Sequence, residues 1–193
     1  MSCNCSNNPQ YECQICSGNM TYDQVMMQLA GMAQKFGVAQ SGMTGTQHTL
    51  GMWQWGLPDI LMTFPNMSFC HRTMNDIYLH WRENGVTLGD DKPFMAERSR
   101  GRIYNCYFTE IDLEDEESRY WMDEFFPHIS EFYKRFPALR GEGKQRVVQF
   151  VLPDKNNKLP FESDYDFEAM PQKIVGVPLY PQELHDFLQN RDK

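Results

Sequence analysis

Two groups of residues have types and spacing that could do chemistry. The first lies in Thr46 to Met62, TQHTLGMWQWGLPDILM. His48 is a candidate general base or acid, and Asp59 a candidate orienting or second carboxylate. General acid–base work needs a proton carrier titrating near neutrality with a partner within hydrogen-bond reach. Trp53 and Trp55 beside one titratable group could line a small-molecule pocket. Asp154 and Glu162, later in the chain, are further binding candidates. The second group is Cys3, Cys5, Cys13 and Cys16, a CxC, seven residues, then a CxxC. Read as ligands, four thiolates make a closed structural zinc site with no open position for water. Read blandly, they are incidental thiols on an N-terminal tail. Nucleophile elbows, phosphate loops, dinucleotide fingerprints and zinc-protease motifs are absent from the sequence.

The elements that must position these groups can be read from periodicity. Thr21-Tyr22-Asp23-Gln24 has the form of a capping box. It opens a helix with Val25, Leu29, Met32 and Phe36 at helical spacing, closed by Gly37. Strands are expected over Val38 to Met43, through His48 to Met52, and over Ile60 to Phe64, with Gly56 to Asp59 as a turn. That makes the first group a hairpin with Trp53 and Trp55 on one face of its tip. Asn66 or Ser68 caps a second helix with Cys70, Met74, Ile77 and Trp81 inward, ending at Gly85, and leaves His71 and His80 off the stripe. A strand is expected over Ile103 to Thr109. Six acids then fall within Glu110 to Glu117, without the oxygen spacing of a calcium loop. They suit a helix start, where the dipole favours carboxylates. This helix runs from about Asp115 to Phe126, breaks at Pro127 and resumes to Phe136, with more aromatics than one buried face requires. After a loop at Gly141 and Gly143, Arg146 to Leu152 reads as a strand. Lys155 to Lys158 is a turn, Ile174 to Leu179 a short strand, and Pro181 starts a closing helix.

These elements predict an α+β fold: a small, mostly antiparallel sheet with helices packed against it. An N-terminal Cys-rich appendage over 1–18 precedes a single domain over 19–193, with an aromatic and acidic helical segment near 110–140. The chain has 193 residues, 41% hydrophobic and 13% aromatic, enough for one real core. Its formal net charge is −8, which opposes nonspecific nucleic-acid binding. Arg98, Arg100 and Arg102 alternate in one short segment that could form a local basic patch. No apolar run approaches a membrane span, and the N-terminus lacks a signal-peptide pattern, so a cytoplasmic protein is expected. The 13 methionines suit a flexible core or a partner surface.

Three segments in order resemble a bacterial family known as domain of unknown function 4262. The first is Cys13-Gln14-Ile15-Cys16 followed by a helix. The second is His48-Thr49-Leu50-Gly51-Met52 with Leu57-Pro58-Asp59-Ile60, similar to the family's Tyr-Thr-Val-Gly-Leu and His-Pro-Glu-Leu. The third is Val148-Gln149-Phe150-Val151 with Asp154 and Pro160-Phe161-Glu162, similar to its Gln…Asp…Pro-Trp-Asp. Order and spacing agree from about Cys13 to Val175. The departures are His48 for tyrosine, Leu57 for histidine and Phe161 for tryptophan. Residues from about Cys106 to Arg140 have no counterpart and form an elaboration. The resemblance implies an α+β fold around a small sheet and carries no activity. Any chemistry served by the family histidine would be missing here.

Two functions follow as expectations. One is a protein-interaction or regulatory module without catalysis, of phage or mobile-element origin and acting on a host target, which requires a protein partner. The other is a small-molecule hydrolase or nucleotide-processing enzyme using His48 with Asp59. Turn and strand chemistry alone explains Thr49, Gly51, Pro58 and Pro160.

Overall fold

The computed structural model of the chain describes residues 17–43, 45–86, 107–160 and 162–175. The four N-terminal cysteines, the arginines at 98, 100 and 102, Phe161 and the expected closing helix lie outside them. So do the beginning of the expected Ile103 strand and most of the expected Ile174 strand.

Helix α1 spans Tyr22–Phe36 and starts on the predicted capping box: Thr21 accepts from the Gln24 amide, and the Gln24 side chain accepts from the Thr21 amide. Gly37 ends it in the left-handed conformation. Its buried stripe is Met26, Leu29, Ala30 and Ala33, rotated from the expected one, so that Phe36 is 62% exposed. Strands β1 (Ala39–Met43), β2 (Thr46–Leu50) and β3 (Asp59–Met62) form an antiparallel meander. The Asn66 side chain caps helix α2 (Met67–Asn84), which buries Cys70, Met74, Ile77 and Trp81 as the periodicity predicts. Strand β4 covers Tyr107–Ile111 among the described residues and ends two residues beyond the predicted limit at Thr109. Helix α3 (Glu116–Phe125) is capped by Asp115, and α4 (Pro127–Arg135) begins on the proline that ends α3. Proline suits a first helical position because its missing N–H has no intrahelical partner there. Strand β5 (Val147–Val151) is buried along its length.

The sheet order is β1-β2-β3-β5-β4. β3 and β5 run parallel, so the sheet is mixed, which corrects the mostly antiparallel expectation. The cause is topological. The chain leaves β3, crosses through α2, and after β4, α3 and α4 returns to the free edge of β3 in the same direction. A parallel pair needs such a long crossover. Helices cover both faces. On one face α1, α3 and α4 pack on Ala39, Leu50, Leu61, Ile111 and Val147. On the other, α2 packs on Ile60, Met62, Phe108, Val148 and Phe150. The aromatics of the 115–136 segment largely serve the first core: Phe126, Phe132 and Tyr133 are buried, while Tyr120 is exposed.

Candidate functional site

The stretch between β2 and β3 is not a simple hairpin tip. Met52–Trp55 winds into a 3-10 turn, entered and left through left-handed Gly51 and Gly56. Trp53 and Trp55 therefore do not share a strand face, which corrects the period-two expectation. Trp53 packs edge-on against Tyr133, with ring centroids 5.2 Å apart, and its indole N–H donates to the Glu142 carbonyl. The Trp55 indole donates to the Gly37 carbonyl at 2.9 Å, and its ring carries the Arg82 guanidinium 3.6 Å from the centroid. Gly51 has φ +93°, and a Cβ there would lie 2.6 Å from the Ala33 Cβ, so both conformation and space demand glycine.

Asp59 opens β3 and is fully buried. Its carboxylate accepts from the Tyr133 hydroxyl at 2.5 Å, and from the Thr49 hydroxyl and the Met52 amide, each at 3.3 Å. Tyr133 in turn accepts from the Gly51 amide at 2.8 Å and the Trp53 amide at 3.4 Å. Thr49 also accepts from the Ile60 amide at 2.7 Å. Together these bonds tie the end of β2, the 3-10 turn, the start of β3 and α4 into one buried polar knot. Burial pushes the Asp59 carboxyl up to about 7, against the lowering effect of its donors Tyr133, Met52 and Thr49. The Tyr133 hydroxyl is raised, first by burial and then by the Asp59 charge.

His48 pairs with Leu61 across the β2–β3 ladder, and Asp59 lies two residues before Leu61. Both side chains thus face α1, α3 and α4. No hydrogen bond joins them. The His48 ring is 1% exposed, and among the described residues neither of its nitrogens has a hydrogen-bond partner. It lies edge-on to Phe126 with centroids 5.8 Å apart, and 6.1 Å from the His128 ring at an interplanar angle of 29°. His128 opens α4 and is half-buried; its Nδ1 is 3.1 Å from the Tyr22 hydroxyl, and the two rings stack at 5.4 Å. Burial drives the His48 ring down to about 3, helped by neighbouring His128, and lowers His128 as well. Both imidazoles are neutral at physiological pH. Tyr133 and His128 are the residues that reading the sequence missed. Each meets its partner across 74 or more residues, and no local spacing signals such a contact.

Asp154 and Glu162 belong to a different place, the loop after β5. Buried Asp154 accepts from the amides of Asn156 at 2.8 Å, Lys158 at 2.9 Å and Asp166 at 3.0 Å. Desolvation opposes its ionisation, but those amides outweigh it and hold the carboxyl below its usual range. Glu162 accepts from the Leu159 amide at 2.7 Å and from the Lys158 ammonium at 3.2 Å. All these partners lie within the loop, so the structure pairs Asp154 with Glu162 through Lys158 and joins neither to His48. Gln149 fastens the following segment: it donates to the Thr63 hydroxyl and the Lys173 carbonyl, and accepts from the Val175 amide. Among the described residues no group of three or more His, Cys, Asp or Glu is placed to hold a metal ion. Nor is any described helix long and apolar enough to cross a membrane. No family model, curated protein or solved structure matches the chain.

Proposed function

We propose that this chain is a non-catalytic protein-interaction module whose docking face surrounds Gly37. The observation that carries this reading is the grouping of exposed aromatics with cations there. Phe36 is 62% and Trp55 44% exposed. Lys35 lies 5.0 Å from the Phe36 ring centroid and Arg82 stacks on Trp55. The Trp55 indole and the Tyr78 hydroxyl both donate to backbone carbonyls at the end of α1, those of Gly37 and Phe36, which brings the two aromatics together. Aromatic and arginine side chains are the residues that most often anchor protein interfaces. On a chain of net charge −8, a patch flanked by Lys35 and Arg82 suits an acidic partner surface with apolar groups. In keeping with this reading, His48 and Asp59 are sealed from substrate and not bonded to each other.

The test uses the tagged full-length chain as bait in lysate at low salt, with native mass spectrometry of the captured complex. A stoichiometric partner is expected with the wild type and with the exposed-site control Tyr120→Ser. It should be lost with Phe36→Ser/Trp55→Ser. Equal recovery by all three baits, or no partner with any, would overturn the reading.

A further inference from the structure

We propose that the segment this chain recognises is an extended peptide with acidic and apolar residues, which adds as a further strand to the free edge of β1. Such a peptide would end on the docking face around Gly37, on which this assignment rests. β1 is an outer strand of the sheet, and among the described residues it pairs with β2 alone.

The register fixes which backbone groups face outward. Met43 pairs with Thr46 across a two-residue connection. A closing pair of that kind is hydrogen-bonded, and hydrogen-bonded pairs alternate along an antiparallel ladder. The positions of β1 bonded to β2 are therefore Met43, Ser41 and Ala39, and Gln40 turns its amide and carbonyl towards the free edge. Among the described residues neither of those two groups has a hydrogen-bond partner, while the Gln40 side chain donates to the His71 carbonyl at 2.9 Å. Gln40, Ser41 and Gly42 are partly exposed. Open edges are normally defended by charge, proline or a covering element. The other outer strand, β4, carries Glu110, ion-paired with Arg146. Ala39-Gln40-Ser41-Gly42-Met43 has neither charge nor proline. An edge of that kind suits strand addition, in which main-chain bonds supply affinity and side-chain contacts choose the partner.

The edge also leads into the docking face. Ala39 follows Gly37 by two residues. At about 3.3 Å per residue, a peptide strand that runs two residues past Ala39 brings its end to the Gly37 region. There the Trp55 indole is bonded to the Gly37 carbonyl, Arg82 stacks on Trp55, and Lys35 lies over Phe36. Apolar peptide side chains would meet the two rings, and carboxylates the two cations. Charge also favours such a peptide over a second copy of this chain, because each copy carries a formal −8.

The probe is a phage-displayed library of random peptides panned on the full-length chain, with the enriched peptides then measured by fluorescence anisotropy. They should combine carboxylates with aromatic or β-branched residues. Gln40→Pro removes the outward amide and spares the bonds to β2, so it should weaken binding about 10-fold. Gln40→Thr loses the same side chain but keeps the amide, and should leave binding nearly unchanged. Circular dichroism verifies the fold of each variant. A second measurement keeps the protein wild type: N-methylation scanned along the peptide should abolish binding at every second residue only, because alternate amides face β1. Phe36→Ser/Trp55→Ser should also weaken binding. Loss in that double variant, with binding unchanged in folded Gln40→Pro and no alternation in the N-methyl scan, would overturn strand addition and leave the docking face standing. Loss in Gln40→Pro with binding unchanged in the double variant would uphold the added strand and overturn the face. Failure to enrich any binder would overturn strand addition. So would a wild-type dimer in sedimentation that Gln40→Pro dissolves, because that result gives the edge to a second copy.

Discussion

Tyr133→Phe removes one oxygen and leaves the ring in place, so it isolates the polar knot around Asp59. The hydroxyl donates to a buried carboxylate and accepts from the Gly51 and Trp53 amides. A hydrogen bond to a charged group contributes about 1.5–3 kcal/mol, and a buried amide left without an acceptor costs about 1–3 kcal/mol. Allowing for partial relaxation, the substitution should cost about 3–5 kcal/mol, a large part of the roughly 5–15 kcal/mol typical of a domain. Urea unfolding followed by tryptophan fluorescence is a suitable assay, because Trp53 lies edge-on to the mutated ring. With a slope of about 2 kcal/mol per molar urea, the midpoint should fall by about 2 M. A loss below about 1 kcal/mol would refute the knot as an organising feature of the fold. The carboxylate adds a pH signature. Its folded-state pKa, about 7, exceeds the unfolded value, so the proton favours the folded state. Asp59's contribution to stability is therefore greatest at acid pH and is lost as pH rises through 7. The stability difference between wild type and Asp59→Asn should fall by about 1.4 kcal/mol per pH unit between about pH 5 and 7, then level off. His48, with its depressed pKa, tilts stability the other way below about 6.5, but that effect is common to both proteins and cancels in the difference.

Three further outcomes follow from the packing. A Cβ on Gly141 would lie 1.8 Å from the Trp53 carbonyl oxygen, so Gly141→Ala should displace the Trp53 loop and cost about 2 kcal/mol or more, read as a drop in thermal midpoint and a shifted tryptophan emission. Gln149→Leu should strand the Val175 amide and free the segment near Lys173, giving faster hydrogen exchange at 172–175 while β1 and β2 stay protected. Thr21→Ala should cost about 1 kcal/mol through loss of the α1 cap, with the proposed docking face unaffected in partner capture.

Local rules carried much of the architecture. The capping box at Thr21, the stop at Gly37, the stripe on α2, the Pro127 break and the run Val147–Val151 are all set by residues a few positions apart, and all were legible. The tryptophan turn was not, because Gly51 and Gly56 at positive φ convert an alternating pattern into a 3-10 turn. The parallel seam was not legible either, since nothing local to Asp59 specifies Val147 as its neighbour. The candidate site divided along the same line. His48 and Asp59 stood out by type, and the structure sets them on one sheet face as buried groups. Their actual neighbours, His128 and Tyr133, come from α4 and are joined to them by tertiary packing alone.

The β3–β5 seam also bears on how the chain is made. β1, β2 and β3 are close in sequence and can zip as they emerge. β5 begins 85 residues after β3 ends, as counted from Met62 to Val147. At translation rates of about 5–20 residues per second, β3 waits roughly 4–17 seconds for its neighbour. During that interval a short, apolar strand presents unsatisfied amides and carbonyls to every other nascent chain, the circumstance in which edge pairing and aggregation begin. Asp59, charged at the head of that strand until Tyr133 and β5 arrive to bury it, is placed as a gatekeeper against such pairing. The same carboxylate would then guard the growing chain before it anchors the finished one.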